Sequence, residues 1–199
     1  MMRVIAGTAK GMPIKFPKGA PTRPATELVR GAIFSMLAAM NADWSRVLDL
    51  FSGSGSLGIE ALSRGAGFVD FVDRDRRACA IIRENLERMH FAEWAKVHCR
   101  DVYHALSILA NGDTTNRGVV LMDPPYADHT IGGVITALAN SKLVNGETIV
   151  IVNHSVRFKL EENYGPLACR RELRHGDSVI AVYRKQTEEV PPATTNDIR

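Results

Sequence analysis

The sequence predicts a doubly wound α/β domain with a mostly parallel, seven-stranded sheet, an antiparallel pair at one edge and a small N-terminal extension. From residue 46 onward, short β-branched or aliphatic runs alternate with helical segments, which is typical of βαβ units. The last two runs are joined through residues 174–177, and so short a turn, with Gly176 in it, favours an antiparallel pair. Before residue 46 the pattern consists of two extended runs and one helix. We therefore divide the chain into an extension at 1–45, a main domain at 46–185 and a tail at 186–199.

The individual elements follow from the spacing of apolar residues. In the extension, runs at 3–6 and 12–16 flank a hairpin-like loop at 7–11. Pro24, preceded by Thr22 or Arg23, opens an amphipathic helix that reaches Asn41, because proline suits the first helical turn. Aliphatic runs then predict strands at 47–51, 68–73, 95–99, 119–122, 148–153, 167–173 and 178–184. The segments with helical spacing between them predict helices at 57–64, 76–89, 102–109 and 131–139.

The composition indicates an ordinary soluble protein. Of the 199 residues, 45% are hydrophobic and 24% are charged, which is close to the average for globular proteins. No apolar run approaches the ~20 residues that cross a bilayer, and the N-terminus lacks the apolar segment of a secretion signal. We therefore expect a cytoplasmic protein that does not bind membranes. Residues 186–199 carry two prolines and few apolar side chains, so we expect a disordered tail there.

The cysteines and histidines argue against a metal site and against a disulfide framework. Cys79, Cys99 and Cys169 are odd in number and form no CxxC pair, and the six histidines are scattered. We expect free, buried thiols and no bound metal.

Positive charge is concentrated at the N-terminus, although the net charge of the chain is only +3. Glu27 is the single acid among the first thirty residues, whose basic residues are Arg3, Lys10, Lys15, Lys18, Arg23 and Arg30. Such a segment can meet phosphate, but a solvated basic surface without a ligand explains the charge equally well. Charge alone leaves both interpretations open.

Polar loops follow the predicted strands at their carboxyl ends, where open parallel sheets bind ligands. After the first strand, residues 49–58 read DLFSGSGSLG, and glycines there let a ligand approach the main-chain amides. Asp73 follows the second strand, about twenty residues past Gly53, where a carboxylate can accept both hydroxyl protons of a ribose. Asp101 follows the third strand, where it can accept a hydrogen bond from an adenine amino group. These features predict a bound nucleoside.

Asp49 bears on the identity of that nucleoside. The glycine spacing also matches the GxGxxG pattern of dinucleotide-binding proteins, so the loop alone discriminates poorly. An acid at position 49 can reach an ammonium group but would repel a pyrophosphate, which favours S-adenosylmethionine as the cofactor. The predicted cofactor-binding residues are Asp49, Phe51, Ser52, Gly53, Ser54, Gly55, Asp73, Arg74, Asp101, Val102 and Asp123.

The tetrapeptide Asp123-Pro124-Pro125-Tyr126 follows the fourth predicted strand. Each proline disfavours helix in the residue before it and removes a donor, which predicts a rigid loop. The Asp123 carboxylate and the freed carbonyls suit the protons of an exocyclic amino group, and Tyr126 offers a ring on which an extruded base can stack. The tetrapeptide therefore predicts direct, in-line methyl transfer to an amino group of a nucleic-acid base. All four of its residues are predicted to be catalytic.

Several segments together resemble one known family. Those segments are RVIAG at 3–7, TRP at 22–24, VR at 29–30, LDLFSGSG at 48–55, GIEALSRGA at 58–66 and DPPY at 123–126. They are similar to segments of the bacterial small-subunit ribosomal RNA (guanine-N2)-methyltransferases of the RsmD family, and the likeness covers residues 2–185.

This resemblance implies a Rossmann-like, S-adenosylmethionine-dependent methyltransferase fold, with the catalytic domain at 46–185. It implies methylation of the N2 amino group of a guanine in 16S ribosomal RNA, either naked or in an assembled small-subunit particle, by an enzyme we expect to be a monomer. It also implies that the extension faces the RNA. The predicted substrate-binding residues are Arg3, Lys10, Thr22, Arg23, Pro24, Arg30 and Tyr126.

Three alternatives stay open at this point. A DNA or RNA adenine-N6 methyltransferase would use the same tetrapeptide, although the chain offers little room for a separate DNA-reading region. A nicotinamide-dependent oxidoreductase would use the glycine loop but would leave the tetrapeptide without a role. A non-catalytic RNA-binding module would need neither the glycine loop nor the tetrapeptide.

Overall fold

The computed structural model describes residues 2–17, 26–112, 116–125 and 130–186. In these ranges the helices are α1 (Glu27–Ala39), α2 (Ser56–Ser63), α3 (Arg76–Arg88), α4 (Val102–Gly112) and α5 (Ile131–Ala139). The strands are β1 (Val47–Leu50), β2 (Val69–Asp73), β3 (Ala95–Cys99), β4 (Val119–Met122), β5 (Ile149–Ser155), β6 (Asn163–Tyr164), β7 (Leu167–His175) and β8 (Ser178–Lys185). A one-turn 3₁₀ helix at Ala92–Trp94 precedes β3.

The strands form one eight-stranded sheet in the order β3-β2-β1-β4-β5-β8-β7-β6. Strands β1 to β5 are parallel, whereas β8, β7 and β6 each pair antiparallel with their neighbours. The predicted α/β class with an antiparallel edge is confirmed. The sheet has one strand more than predicted, because the two residues of β6 are too few to show a period. The strand order reverses between β1 and β4, and ligands bind such folds beyond the carboxyl ends at that point.

Helices cover both faces of the sheet. On one face α1, α2 and α3 pack into a core that includes Ile33, Ile59 and Ile82. On the other face α4 and α5 pack into a second core that includes Leu106 and Ile135. Since both faces of β1 and β4 are buried, the loops at the ends of these strands are where their polar groups can meet a ligand.

The N-terminal extension belongs to the α2 side of the molecule. Arg3 and Pro13 form a single antiparallel bridge, and the chain turns between them as the hairpin-like pattern predicted. Val4 and Ile14 are buried in the same core as α1 and α2. The extension is therefore anchored by burial, while its division from the main domain at residue 45 stays a prediction.

Helix α1 begins later than predicted. Thr26 is its N-cap, with extended backbone, and its side chain accepts a hydrogen bond from the Val29 N–H. A threonine hydroxyl satisfies one of the free amides of the first turn, so the start at Pro24, with Thr22 or Arg23 before it, is wrong. Those three residues lie outside the described part of the chain.

The first residue of the predicted tail, Gln186, is bound to the edge of the sheet. The Gln186 N–H donates to the Pro166 carbonyl, and its side chain donates to Asn163. Residues 187–199 lie outside the described ranges.

The cysteines are free thiols, but only Cys79 is fully buried, whereas Cys99 and Cys169 are partly exposed. Within the described ranges, no helix combines the length and the apolar character needed to cross a membrane.

Candidate active site

The loop between β1 and α2 turns through three left-handed residues. Phe51, Gly53 and Gly55 have φ values of 59°, 55° and 77°, and Gly55 is the N-cap of α2. Glycine adopts this conformation readily, but a residue with a side chain pays about 1–2 kcal/mol. Strained backbone of this kind clusters at ligand-binding sites. The loop brings the amide of Gly58, in the first turn of α2, back to Asp49 in β1.

Ser52 fixes the loop to the neighbouring strand. Its N–H donates to the Val72 carbonyl, and its hydroxyl donates to the Asp49 carbonyl at 2.7 Å while accepting from the Val72 N–H at 3.0 Å. Ser52 is buried, as are Ser54 and Gly55, while Phe51 and Gly53 are partly exposed. Of the predicted loop contacts, Phe51 and Gly53 are thus the ones that offer open surface.

Asp73, at the end of β2, holds the loop directly. One carboxylate oxygen accepts from the Gly53 N–H at 2.8 Å, and the other accepts from the Asp75 N–H at 2.8 Å. Burial raises the pKa of Asp73, although these two amide donors oppose the shift. Each carboxylate oxygen has a second lone pair, and Asp73 is partly exposed. It can therefore accept hydroxyl protons of a ribose while keeping the loop in place.

Asp49 lies beneath the loop and is only 1% exposed. Its Oδ2 accepts from the Gly58 N–H at 2.9 Å, and a side chain at Gly58 would lie 2.9 Å from that same oxygen. Its Oδ1 is buried without a hydrogen-bond partner. Burial raises the pKa of Asp49 to about 8, the Gly58 donor opposes this, and the charges of Asp123 and Asp73 raise it further.

Asp49 therefore lies close enough to Asp123 and Asp73 for their charges to influence it. An uncompensated acidic group under a loop favours a positively charged ligand above it. This fits the ammonium and sulfonium groups of S-adenosylmethionine and disfavours a pyrophosphate. Because burial keeps Asp49 largely protonated near neutral pH, a positively charged ligand beside it would favour the ionised carboxylate.

Asp123 follows β4 and lies half-buried at the strand end, next to the buried Pro124 and the half-buried Pro125. The Asn153 side-chain amide donates to Asp123 Oδ1 at 2.8 Å. Asn153 is fully buried in β5. Tyr126 lies outside the described residues, so its predicted stacking stays a prediction.

Sequence reasoning missed Asn153 as a site residue. A signal was present, because Asn153 is a polar residue that ends a predicted aliphatic strand. Met122 and Val152 are partners in the β4–β5 register, so the residues that follow them, Asp123 and Asn153, are neighbours. The pairing of these two strands could not be read from the sequence.

The remaining predicted cofactor residues lie around the same strand ends. Asp101 is exposed, and its carboxylate accepts from the Tyr103 N–H at 2.9 Å at the start of α4. Val102 is buried in the second core and offers little surface to a ligand. Arg74 is exposed beside Asp73. Asp101 and Arg74 are accessible to a cofactor, whereas Val102 has mainly a packing role.

Arg30 does not face the surface, which corrects its prediction as an RNA contact. Its side chain is fully buried, donates to the Arg3 carbonyl at 2.7 Å and pairs with Glu60 at 3.6 Å. Burial lowers the pKa of Arg30, while Glu60 opposes that shift. Helix periodicity cannot reveal this, since the partner lies in another helix.

Arg3 and Lys10 are exposed, as an RNA contact requires. The residues beside Lys10 bind the C-terminal end of α2, where Thr8 and Ala9 donate to the Ser63 carbonyl and hydroxyl. This is the opposite end of α2 from the glycine loop. Lys10 therefore lies away from the carboxylates, and Thr22, Arg23 and Pro24 lie outside the described ranges.

The profile of the family described as "Conserved hypothetical protein 95" matches residues 2–184. The chain belongs to this family. It is the family of the RsmD-type ribosomal RNA methyltransferases, and the predicted membership is confirmed.

Individual relatives of the RsmD family match nearly the whole chain. YlbH of Bacillus subtilis (strain 168) is 37% identical over 185 residues, which cover 93% of this chain and 100% of YlbH. The "Ribosomal RNA small subunit methyltransferase D" of Escherichia coli (strain K12) is 28% identical over 94% of this chain and 91% of its own length. The structure of the methyltransferase yhhF of Escherichia coli superposes with a TM-score of 0.79, at 28% identity, over 93% of this chain and 98% of that one. The Rossmann-like methyltransferase fold implied by the resemblance is confirmed.

Proposed function

We propose that this RsmD-family methyltransferase transfers a methyl group from S-adenosylmethionine to the N2 amino group of a guanine in small-subunit ribosomal RNA. The observation that carries the proposal is the meeting of Asp49, Asp73 and Asp123 at the point where the strand order reverses. The first two lie at the glycine loop, and the third opens the proline turn. A cationic nucleoside and an aromatic amine therefore have acceptors at the same edge of the sheet.

The RNA target is supported by the relatives. The Escherichia coli relative carries the name of a small-subunit ribosomal RNA methyltransferase, and it aligns with 94% of this chain. The exposed Arg3 and Lys10 of the extension supply cations suited to phosphate, whereas the Lys15 ammonium pairs with Glu84. The choice of guanine N2 rests on the family resemblance and on the acceptors at Asp123.

When bound, S-adenosylmethionine supplies an electrophilic methyl group on a sulfonium. The roles proposed for the protein are to hold the cofactor and to orient the substrate amine. Asp73 accepts the ribose hydroxyl protons, and Asp101 accepts from the adenine amino group. The positive charge of the ligand favours loss of the Asp49 proton, and the resulting carboxylate offsets that charge. No covalent intermediate with the protein is required, and none of the three cysteines lies in a motif for one.

Asp123 acts on the nucleophile. An exocyclic amine is a poor nucleophile because its lone pair is delocalised into the base. When the Asp123 carboxylate and the Pro124 carbonyl accept its protons, the nitrogen is held in a geometry whose lone pair points at the methyl carbon. S-adenosylmethionine, if bound there, would supply the methyl group, and the Asp123 carboxylate and the Pro124 carbonyl would take up the proton that the amine loses. Asn153 keeps the Asp123 carboxylate oriented during this step.

The test is methyl transfer from labelled S-adenosylmethionine to small ribosomal subunits, and separately to naked 16S RNA, taken from a strain that lacks this gene. We expect label in N2-methylguanosine after nucleoside analysis, and no label in subunits from a strain that has the gene. Label on adenine N6 would replace the guanine target by the adenine alternative. Label in DNA alone would overturn the RNA substrate. Binding of NAD in place of S-adenosylmethionine would overturn the transferase activity.

A further inference from the structure

Asn85 joins the N-terminal extension to the glycine loop. It lies in α3 and is fully buried. Its side-chain oxygen accepts from the Lys15 N–H at 3.0 Å, and its amide nitrogen donates to the Lys15 carbonyl at 3.0 Å and to the Ser54 carbonyl at 3.2 Å. Both amide protons and the carbonyl oxygen are therefore used. A buried amide requires such partners, since each unmet group costs free energy.

Ser54 is the loop residue that Asn85 contacts. It lies between Gly53 and Gly55, both in the left-handed region. Its own hydroxyl is buried without a hydrogen-bond partner. The bond from Asn85 to the Ser54 carbonyl is thus a polar contact that fixes the peptide between Ser54 and Gly55, at the entry to α2.

Lys15 in turn fixes Asn85. The two hydrogen bonds to the Lys15 main chain form a closed ring, which sets the rotation of the amide and directs its second proton at Ser54. The extension is also fastened elsewhere, because Glu60 accepts from the Ile5 and Ala6 amides and Ser63 binds the segment around Gly7. Those bonds lie on the later turns of α2, beyond the loop.

We propose that Asn85 is a positioning residue for the cofactor, and that the main chain at Lys15 makes the N-terminal extension a structural part of the cofactor site. The extension then has two roles, one toward the loop and one toward the substrate. This inference rests on the proposed function only in that the loop binds S-adenosylmethionine. It does not depend on which nucleotide is methylated.

The test compares cofactor affinity with stability in the full-length protein. Calorimetric titration with S-adenosylmethionine, without RNA, gives Kd, and urea unfolding gives stability. Asn85→Ala removes all three hydrogen bonds, and Asn85→Asp keeps the acceptor for Lys15 but loses both donors. We expect Kd to rise about tenfold in each folded variant, which is the effect of one lost hydrogen bond of ordinary strength.

Ser63→Ala is the matched control, because it loosens the extension at α2 without touching Ser54. It should lower the unfolding midpoint and leave Kd within twofold of the wild-type value. The positioning role is wrong if the Asn85 variants bind S-adenosylmethionine with wild-type affinity. It is also wrong if Ser63→Ala raises Kd as much as the Asn85 variants do when all of them lose the same amount of stability. Failure of the wild-type protein to bind S-adenosylmethionine would overturn the cofactor assignment and this role together. Methylation of a different nucleotide would leave the result for Asn85 intact.

Discussion

The side-chain amide of Asn153 donates a hydrogen bond of 2.8 Å to the carboxylate of Asp123. The donor is fully buried in β5, and the acceptor stands at the carboxyl end of β4, one position past the last paired residues of the two strands. A neutral donor stabilises a carboxylate without neutralising it. The pair therefore presents an oriented negative acceptor at the mouth of the site, and its energetic role can be measured.

Replacing Asn153 should alter the pH dependence of methyl transfer. Asn153→Asp places a second carboxylate at hydrogen-bond distance from Asp123, and two such groups share a proton because both cannot easily ionise. We expect the acidic limb of the kcat profile to move toward higher pH, because ionisation of one carboxylate disfavours ionisation of the other. Asn153→Ala should lower kcat without that shift, and it should leave the KM for S-adenosylmethionine nearly unchanged. An unchanged profile in the aspartate variant would contradict the pairing.

Removing the charge of Asp123 should separate binding from chemistry. Asp123→Asn keeps the size of the side chain but places an amide where the substrate amine needs an acceptor. We expect kcat to fall by about 100-fold or more, in line with loss of a positioned acid–base group, while S-adenosylmethionine still binds. Single-turnover transfer and calorimetric titration measure the two quantities. A variant that methylates at the wild-type rate would refute the acceptor role.

Asp49 should destabilise the folded protein at neutral pH. Its carboxyl ionises near pH 4 in an unfolded chain, but burial raises its pKa to about 8 in the fold. Between these values the folded state keeps a proton that the unfolded state has lost, so stability falls as the pH rises. Asp49→Asn keeps an acceptor for the Gly58 N–H and removes this loss. Its stability advantage should grow from pH 4 to pH 8, by at most about 1.4 kcal/mol per pH unit.

Urea unfolding of both proteins at several pH values measures this difference. The same variant should bind S-adenosylmethionine more weakly, because Asp49 can lose its proton beside the positively charged ligand and become a counter-charge, whereas an asparagine cannot. Stability and affinity are thus expected to change in opposite directions. A difference in stability that does not vary with pH would show that Asp49 is not the titrating group.

Arg30 should matter for stability and not for RNA binding. Arg30→Met removes the donor to the Arg3 carbonyl and one of the two ion-pair partners of Glu60, while Arg64 still pairs with Glu60, so we expect a loss of about 1–3 kcal/mol. Lys10→Ala, on the exposed surface, should leave stability nearly unchanged. Urea unfolding measures the stability of each variant, and filter binding measures its affinity for RNA. If Arg30→Met folded as stably as the wild type but bound RNA less tightly, the buried role would be wrong.

Gly7 and Gly11 form a matched pair of tests for the docking of the extension. Their φ values are +84° and +82°, but a Cβ at Gly7 would lie 1.7 Å from the Ser63 carbonyl oxygen, whereas a Cβ at Gly11 meets nothing within 4 Å. Gly11→Ala should cost about 1–2 kcal/mol of unfolding free energy, from backbone strain alone. Gly7→Ala should cost clearly more, since the loop must also leave α2. Equal losses in the two variants would contradict the close contact with Ser63.

Much of the fold could be predicted from local patterns. The parallel strands and the helices between them follow from apolar runs and their lengths, because each must bury a face of fixed period. The two errors, a missed strand and a misplaced helix start, occurred where the apolar pattern is too short or where a cap residue sets the boundary. Strand β6 has two residues, and α1 starts at a threonine hydroxyl, although a proline upstream offered a plausible start.

The sequence by itself determined the glycine loop, the acidic residues that follow the strands and the proline turn. Each of these features depends only on residues that are neighbours in the sequence: glycines that allow left-handed backbone, prolines that exclude helix, and acids that directly follow apolar runs. Only the tertiary structure decided that Arg30 is a core residue, that Asn153 supports Asp123 and that Asn85 links Lys15 to Ser54. Each of these depends on a hydrogen bond or ion pair between residues far apart in the chain. Such contacts are set by the register of the strands and the packing of the helices, which no periodicity within a single element encodes.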